Sequence, residues 1–409
     1  MMPYFESIPI VAKAYCKSFA HTLVYFFLFL TLLLFFSCRA KTKKVAPATA
    51  RGIPLLKLPA PGLLDDAEKI RLQKACELWY DTVLKSSAFN GGILVAKNGN
   101  IIFEKYQVNT KMGIADTINA QTVFHIASVS KTFTAMAVLK LWQDGKIKLD
   151  DEFVQYFPAF NYPGVTIRSL LNHRSGLPNY LYFMEKLEWN DSIPLKNQDI
   201  LQTLISRKAD IKDISAANTH FTYCNTNYAL LALLIEKISG ISYPQYIQQN
   251  FFIPLQMKNS FVFTAADSKR ATDNYDWRGQ KISNNYLDFV YGDKNIYTTP
   301  RELLIWDRAL SSNVMFAAAT MAEAYQPYSN ERPGIKNYGL GWRMNIYPNG
   351  KKVVFHNGWW HGNNAAFIRL PQDDATIIVM GNRYTQAVYK SYQLINSFSN
   401  YFATFEEEE

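Results

Sequence analysis

The sequence predicts an α/β protein of the α+β type: an antiparallel sheet flanked by helices, with a mostly helical subdomain inserted at about residues 150–290. Two observations carry the prediction. First, strand-rich runs joined by turn residues stand at both ends of the folded region. They are 92–96 and 101–106 around Lys97-Asn98-Gly99-Asn100, 338–347 and 351–355 around Pro348-Asn349-Gly350, and 366–370 and 375–380 around residues 371–374. Asn-Gly between β-rich runs is a hairpin signal because both residues tolerate positive φ. Second, the stretch between, roughly 149–291, is dominated by helical periodicity. There is no internal repeat.

In chain order, Lys13 and Lys17 precede fourteen residues, 23–36, that are apolar except for Thr31. A helix needs about 20 such residues to span a bilayer, so the run fits the apolar core of a signal peptide, residues 1–38. Ser37-Cys38 at its end resembles a bacterial lipobox, with Phe35 where that pattern usually has Leu. The resemblance implies lipidation of Cys38 and an exported, membrane-anchored protein on the periplasmic or cell-surface side. An uncleaved anchor would export and tether the domain equally. Residues 39–62, with Pro47, Pro54, Pro59 and Pro61, read as a linker.

The main domain is expected over 63–405. Leu72, Cys76, Trp79, Tyr80 and Val83 recur at helical spacing and predict a first amphipathic helix, followed by the Asn98-Gly99 hairpin. A buried helix is expected to open at Ser128 and run to Gln143 or Asp144, with Gly145 as its stop. A second apolar helix follows Asn225-Thr226-Asn227-Tyr228 and closes at Ser239-Gly240, and a last amphipathic helix is expected over 385–402.

With 409 residues, 48% hydrophobic and 19% charged, the chain can bury a large core, which excludes global disorder. The net charge of +9 comes from scattered basic residues, and the chain ends in Glu406 to Glu409. This reads as a solvated surface, with no nucleic-acid partner expected. Of the four cysteines, Cys16 and Cys38 belong to the export segment; Cys76 and Cys224 alone make no disulfide framework. Neither His-Glu-x-x-His, Cys-x-x-Cys, Gly-x-Ser-x-Gly nor a phosphate-cradling glycine loop occurs, so no metal and no cofactor is expected.

The chemistry centres on Ser128 and Lys131, within Phe124-His125-Ile126-Ala127-Ser128-Val129-Ser130-Lys131. Residues three apart share a helical face, so the Lys131 amine can stand beside the Ser128 hydroxyl. A serine becomes a nucleophile when a base takes its proton, and a buried lysine can be that base. The first helical turn also favours negative charge developing there. Taken alone, the same pattern describes a helix-capping serine with an unrelated lysine.

The stretch Phe-x-Ile-Ala-Ser-Val-Ser-Lys-x-Phe-Thr at 124–134 resembles the active-site block of the class C β-lactamase and penicillin-binding-protein family of serine hydrolases. Further blocks follow in order. They are Leu170-Leu171-Asn172-His173-Arg174-Ser175-Gly176-Leu177-Pro178, Tyr223-Cys224-Asn225, the turn Tyr338-Gly339-Leu340-Gly341-Trp342, and His356-Asn357-Gly358. The resemblance covers about 65–400 and implies a β-lactamase/transpeptidase-like fold. It implies Ser128, Lys131 and Tyr223 as catalytic residues, and Asn225, His356 and Gly358 as substrate-binding residues. It also implies an oxyanion hole from the backbone N–H of Ser128 and one near Trp359 to His361, and a structural role for His173. His356 stands where many relatives have a lysine, and imidazole carries only partial charge near neutral pH. That favours a D-alanyl-D-alanine carboxypeptidase-like or esterase-like hydrolase acting on D-amino-acid peptides, cell-wall peptides (peptidoglycan as partner) or small esters and amides. The alternatives are a β-lactamase, or a penicillin- or peptide-binding protein without efficient turnover. His125 and His361 flank the site with no assignable role.

Overall fold

A computed structural model describes residues 52–109 and 117–401. The signal segment, Cys38, the start of the linker and the four terminal glutamates lie outside the described residues. Residues 52–401 belong to one compact unit. Its strands are β1 (Gly91–Lys97), β2 (Asn100–Gln107), β3 (Phe124–His125), β4 (Phe261–Val262), β5 (Asn274–Tyr275), β6 (Lys281–Ile282), β7 (Ile296–Thr298), β8 (Lys336–Tyr338), β9 (Arg343–Ile346), β10 (Lys352–Trp360), β11 (Asn363–Leu370) and β12 (Ala375–Gly381).

Seven of them form one antiparallel sheet in the order β2-β1-β12-β11-β10-β9-β8, so both ends of the chain meet where β1 pairs with β12, Gly91 opposite Gly381. The three expected hairpins are present. Asn98 and Gly99 are both left-handed between β1 and β2, Gly350 turns β9 into β10, and Asp374 turns β11 into β12.

Alternation along the central strands sends side chains into two cores. Ile93, Val95, Ile377 and Val379 face the first helix, α1 (Asp66–Trp79), through its Leu72, Cys76 and Trp79. Leu94, Ala96, Ile378 and Met380 face the larger helical layer. Cys76 and Cys224 fall in different cores and are both free and buried. In the helical layer α2 (Ser130–Gln143) is buried on nearly every side, with Phe133 stacked on Trp306 at 4.3 Å. Beside it lies α3 (Asn225–Ser239), ended by left-handed Gly240. A small second sheet, β3-β7-β4, abuts the start of α2.

Two expectations change. Residues 52–62, read as linker, run along the body: Leu56 donates to the Pro254 carbonyl at 2.8 Å and Gly62 to that of Asn98 at 2.7 Å. An extended proline-rich segment keeps its remaining backbone groups free for such bonds. The terminal segment is not an α-helix but a 3-10 run, Gln386–Ser397. Its buried residues Ala387, Val388, Ser391, Leu394 and Ile395 lie on one face, turned onto the sheet.

Gly341, in the turn before β9, is left-handed at φ +88°, and a Cβ there would overlap the Cβ of Ala135 on α2. Gly341→Ala is therefore expected to cost at least the ~1–2 kcal/mol of a left-handed non-glycine residue. Thermal unfolding of G341A, A135G and the double variant checks this: the double should lose less than the sum of the singles, and additive losses would contradict the contact.

Candidate active site

Ser128 lies in a 3-10 turn, Ala127–Val129, that feeds α2, rather than in the α-helix itself. The turn is pinned from both sides, because Ile126 donates to the Ile296 carbonyl at 3.0 Å and Ile296 donates back to Ser130 Oγ at 3.1 Å. Ala127 is left-handed (φ +47°), a conformation costing ~1–2 kcal/mol for a residue with a Cβ. Its N–H donates to His125 Nδ1 at 3.1 Å. Since Nδ1 accepts, Nε2 carries the proton and donates to Asn295 Oδ1 at 3.0 Å. Burial, opposed by the Asn295 bond, pushes the His125 imidazole down to about 4, which keeps it neutral.

Lys131 is fully buried, one helical turn on. Its Nζ lies 3.1 Å from Ser128 Oγ, 2.8 Å from Asn225 Oδ1 and 2.8 Å from the Asp293 carbonyl. An ammonium has three N–H groups and finds three acceptors here. A neutral amine would keep two N–H on Asn225 and Asp293 and turn its lone pair to the serine. The geometry therefore serves both ends of a proton transfer.

Asn225 is the first residue of α3 and not its cap; Cys224 occupies the cap position without a side-chain bond. The Asn225 side chain is thereby free to hold Lys131. The Tyr223 ring stands 5.0 Å from Lys131 Nζ and 4.4 Å from the His173 ring. His173 is itself left-handed, and its Nδ1 accepts from the Cys224 N–H at 3.1 Å, so it fixes the Tyr223–Asn225 segment from below.

On the opposite wall β10 carries the third motif. A Cβ at Gly358 would overlap the Ile126 carbonyl, so only glycine lets the strand come this close to the Ser128 turn. β9 pairs with β10 only through Phe355 opposite Arg343, which leaves the backbone of the last β10 residues open on that edge. His356 is fully buried and does not line the cleft. Its Nδ1 donates to the Asn357 carbonyl at 2.8 Å and its Nε2 faces the Tyr338 hydroxyl at 3.3 Å. Burial, with the Arg343 and Lys131 charges, holds it well below the ordinary imidazole value. It is a neutral group, and the cation at this wall is Arg343.

The structure thus brings Ser128, Tyr223, Asn225 and Gly358 to one cleft of about 1360 Å³, with Lys131 buried beneath Ser128 and His356 behind the wall. Arg343 lines the same cleft, its guanidinium 4.9 Å from the Tyr223 ring. Among the described residues no carboxylate lies within ion-pair distance of it. Sequence reasoning missed Arg343 and Asp293 and gave His125 no role. A lone arginine after Tyr-Gly-Leu-Gly-Trp carries no motif, and Asp293 holds Lys131 through its backbone, which any residue could do. Below, buried Lys294 meets Asp293 Oδ2 at 3.4 Å and the Tyr180 hydroxyl, and burial pushes its amine down. Among the described residues no three His, Cys, Asp or Glu side chains converge to hold a metal ion.

The chain is 29% identical over 341 residues to penicillin-binding protein 4* of Bacillus subtilis, covering 78% of this chain and 75% of that protein. Its fold matches a penicillin-binding protein from Bacillus halodurans with a TM-score of 0.67 at 22% identity, covering 82% of this chain and 99% of the other. It also matches a D-amino acid amidase from Ochrobactrum anthropi SV3, crystallised with L-phenylalanine amide, with a TM-score of 0.65 at 18% identity over 81% and 97% of the two chains. The profile of the Beta-lactamase family matches residues 81–396, the span that holds the Ser128 turn, the buried lysine and both walls of the cleft, and the chain belongs to that family.

Proposed function

We propose that this chain is a tethered serine hydrolase that transfers acyl groups from peptides ending in a D-amino acid, in the manner of a D-alanyl-D-alanine carboxypeptidase. The observation that carries the reading is the hydrogen bonding of Lys131, whose amine is held by Asn225 and Asp293 with its third direction on Ser128 Oγ. In this reading neutral Lys131 takes the Ser128 proton as Oγ bonds to the substrate carbonyl carbon. The backbone N–H of Ser128 and one from the open β10 edge near Trp359 hold the resulting oxyanion, usually the largest electrostatic contribution. Lys131, with Tyr223, returns the proton to the leaving nitrogen as the C–N bond breaks. Water then releases the acyl group by the same route.

Arg343 supports the substrate class. Among the described residues no carboxylate pairs with the Arg343 guanidinium, which suits a substrate's terminal carboxylate through the bidentate match of the two planar groups. His356, neutral and buried, does not serve that role. Asn225 Oδ1 is committed to Lys131, which leaves its Nδ2 donors for a substrate carbonyl. The relatives named for penicillin binding and for D-amino acid amides are consistent with small-molecule or peptide substrates.

Three measurements test these statements. Mass spectrometry and product analysis should show an adduct with a fluorescent penicillin and turnover of a D-Ala-D-Ala peptide and an activated ester, all lost in Ser128→Ala. Arg343→Ala should raise KM for the carboxylate-ended peptide about 10- to 100-fold, the worth of a charged hydrogen bond, and leave the ester within about threefold. A stable penicillin adduct with no peptide turnover favours the binding-protein reading, and activity surviving in S128A would sink the mechanism.

Acid should destabilise the fold. His125 has a folded pKa of about 4, and His173 and His356 shift in the same direction, by burial first in each case. The unfolded chain binds more protons below about pH 6.5, so stability is full above that pH and falls towards pH 4. Each histidine contributes about 1.4 kcal/mol per pH unit within the window. Denaturant melts at pH 7, 6 and 5 should show the loss, with a shallower slope in His125→Gln; a flat profile contradicts the neutral assignments.

Export and tethering rest on the apolar run 23–36 and on Cys38. Cells fed an alkyne-tagged fatty acid should label the wild-type chain and not Cys38→Ser; equal labelling of both would reject Cys38 as the anchor.

A further inference from the structure

The two walls that carry the oxyanion donors meet through one carboxylate behind the cleft. β10 ends at Trp360, and the chain turns at His361, which is left-handed at φ +52°. Both side chains end on Asp288. Trp360 Nε1 donates to Oδ1 at 2.5 Å, and His361 Nε2 lies 3.1 Å from each oxygen, as the donor because a carboxylate only accepts. Asp288 is buried in the 3-10 turn Tyr286–Phe289, and the Asn285 N–H donates to its Oδ2 at 2.6 Å. Burial pushes its carboxyl up, but the bonds from His361 and Trp360 outweigh this and hold it below the ordinary carboxylate value.

The same residue reaches the other wall through its backbone. Asn295 Nδ2 donates to the carbonyls of Asp288 at 2.6 Å and Val290 at 2.8 Å. That orientation leaves Asn295 Oδ1 facing His125, whose other nitrogen accepts the Ala127 N–H. An unbroken hydrogen-bond chain therefore runs from the residue before Ser128, through His125, Asn295 and Asp288, to the end of β10. No member of it lies between the reacting groups, so none is a catalytic residue.

We propose that Asp288 is a positioning residue that sets the separation of the two oxyanion donors, one on the Ser128 turn and one on the β10 edge. The inference rests on the acyl-transfer reading above. Donors must stand about 2.7–3.1 Å from the place where the oxyanion forms, so a shift of either wall costs transition-state binding more than substrate binding. The competing role is plain fastening of the 263–291 segment, which would affect stability alone.

The test uses the detergent-solubilised full-length protein with Asp288→Asn and Asp288→Ala. An aryl boronic acid probes the oxyanion site, since its boron bonds to Ser128 Oγ and places an oxygen where the oxyanion would lie. With active sites counted by penicillin titration, D288A should lower kcat on an activated ester and boronate affinity by a common factor of about 10 to 100, less than loss of a whole donor. KM should move less than threefold. D288N, which still accepts from Trp360, should fall between, and adding His361→Gln to D288A should cost less than about twofold more. If kcat per titrated site and boronate affinity stay within twofold of wild type in the variants, whatever the melting temperature does, the proposal is overturned; should D288A fail to fold, D288N decides alone. Failure of the wild-type protein to form either a boronate or a penicillin adduct would remove the acyl-transfer reading and this proposal with it, a result separate from any variant.

Discussion

Burying the Lys131 amine is the constraint that the rest of this structure answers. Removing an amine from water is costly unless every N–H finds an acceptor. The acceptors come from residues 94 and 162 positions further on as well as from the adjacent Ser128. α3 must therefore begin beside α2, and the chain entering β7 must pass above both. The continuous apolar surface of α2 and α3 supplies the packing that holds these partners in place: ten of the fifteen α3 residues are buried. The inserted helical region is thus as necessary to the Lys131 amine as the sheet is to the Ser128 turn.

Around that amine the backbone is strained in a patterned way. Among the described residues eleven non-glycine residues have positive φ; Asp213 and His361 line the cleft, and Ala127, His173 and Asn295 lie behind its walls. Such conformations cost of order 1–3 kcal/mol and persist where the surroundings over-determine them. Asn295 and the two histidines are tied by their own side chains. Ala127 has no polar side chain, so its conformation depends on an acceptor supplied by His125. Strain here has a direction, because it turns the Ser128 turn toward β10, where Gly358 leaves room for it.

The architecture was legible because it rests on local signals. Three hairpin turns and two long apolar helices mark where the sheet and the helical layer must lie, and spacing alone puts Lys131 beside Ser128. The terminal segment was legible as an amphipathic helix, but its buried positions Ala387, Val388, Ser391, Leu394 and Ile395 do not separate a 3-10 winding from an α one. Residues 52–62 were misread because proline-rich composition reports an extended backbone and not what that backbone touches. The site was legible up to its first ring of side chains. Asn225 is the first residue of α3 and not its cap, which leaves its side chain for Lys131. Asp293, Asn295 and Asp288 act through carbonyls or long-range contacts that leave no pattern in sequence.

Histidine is where residue type misleads most, and the reason is electrostatic. His125, His173 and His356 are each buried and neutral, and each ties its surroundings through at least one ring nitrogen. Lys131 and Arg343 help hold two of them neutral, since a charged imidazole beside an ammonium or guanidinium would be repelled. Asp293 already offsets Lys294, so it contributes its backbone carbonyl to one lysine and its carboxylate to another. A lysine at position 356 would bury a further amine beside Lys131 and Arg343, where Tyr338 and a single backbone carbonyl offer two acceptors for three N–H groups. With a guanidinium already on that wall, neutral imidazole is the residue that lets Arg343 and Lys131 coexist, one facing the cleft and the other facing the serine.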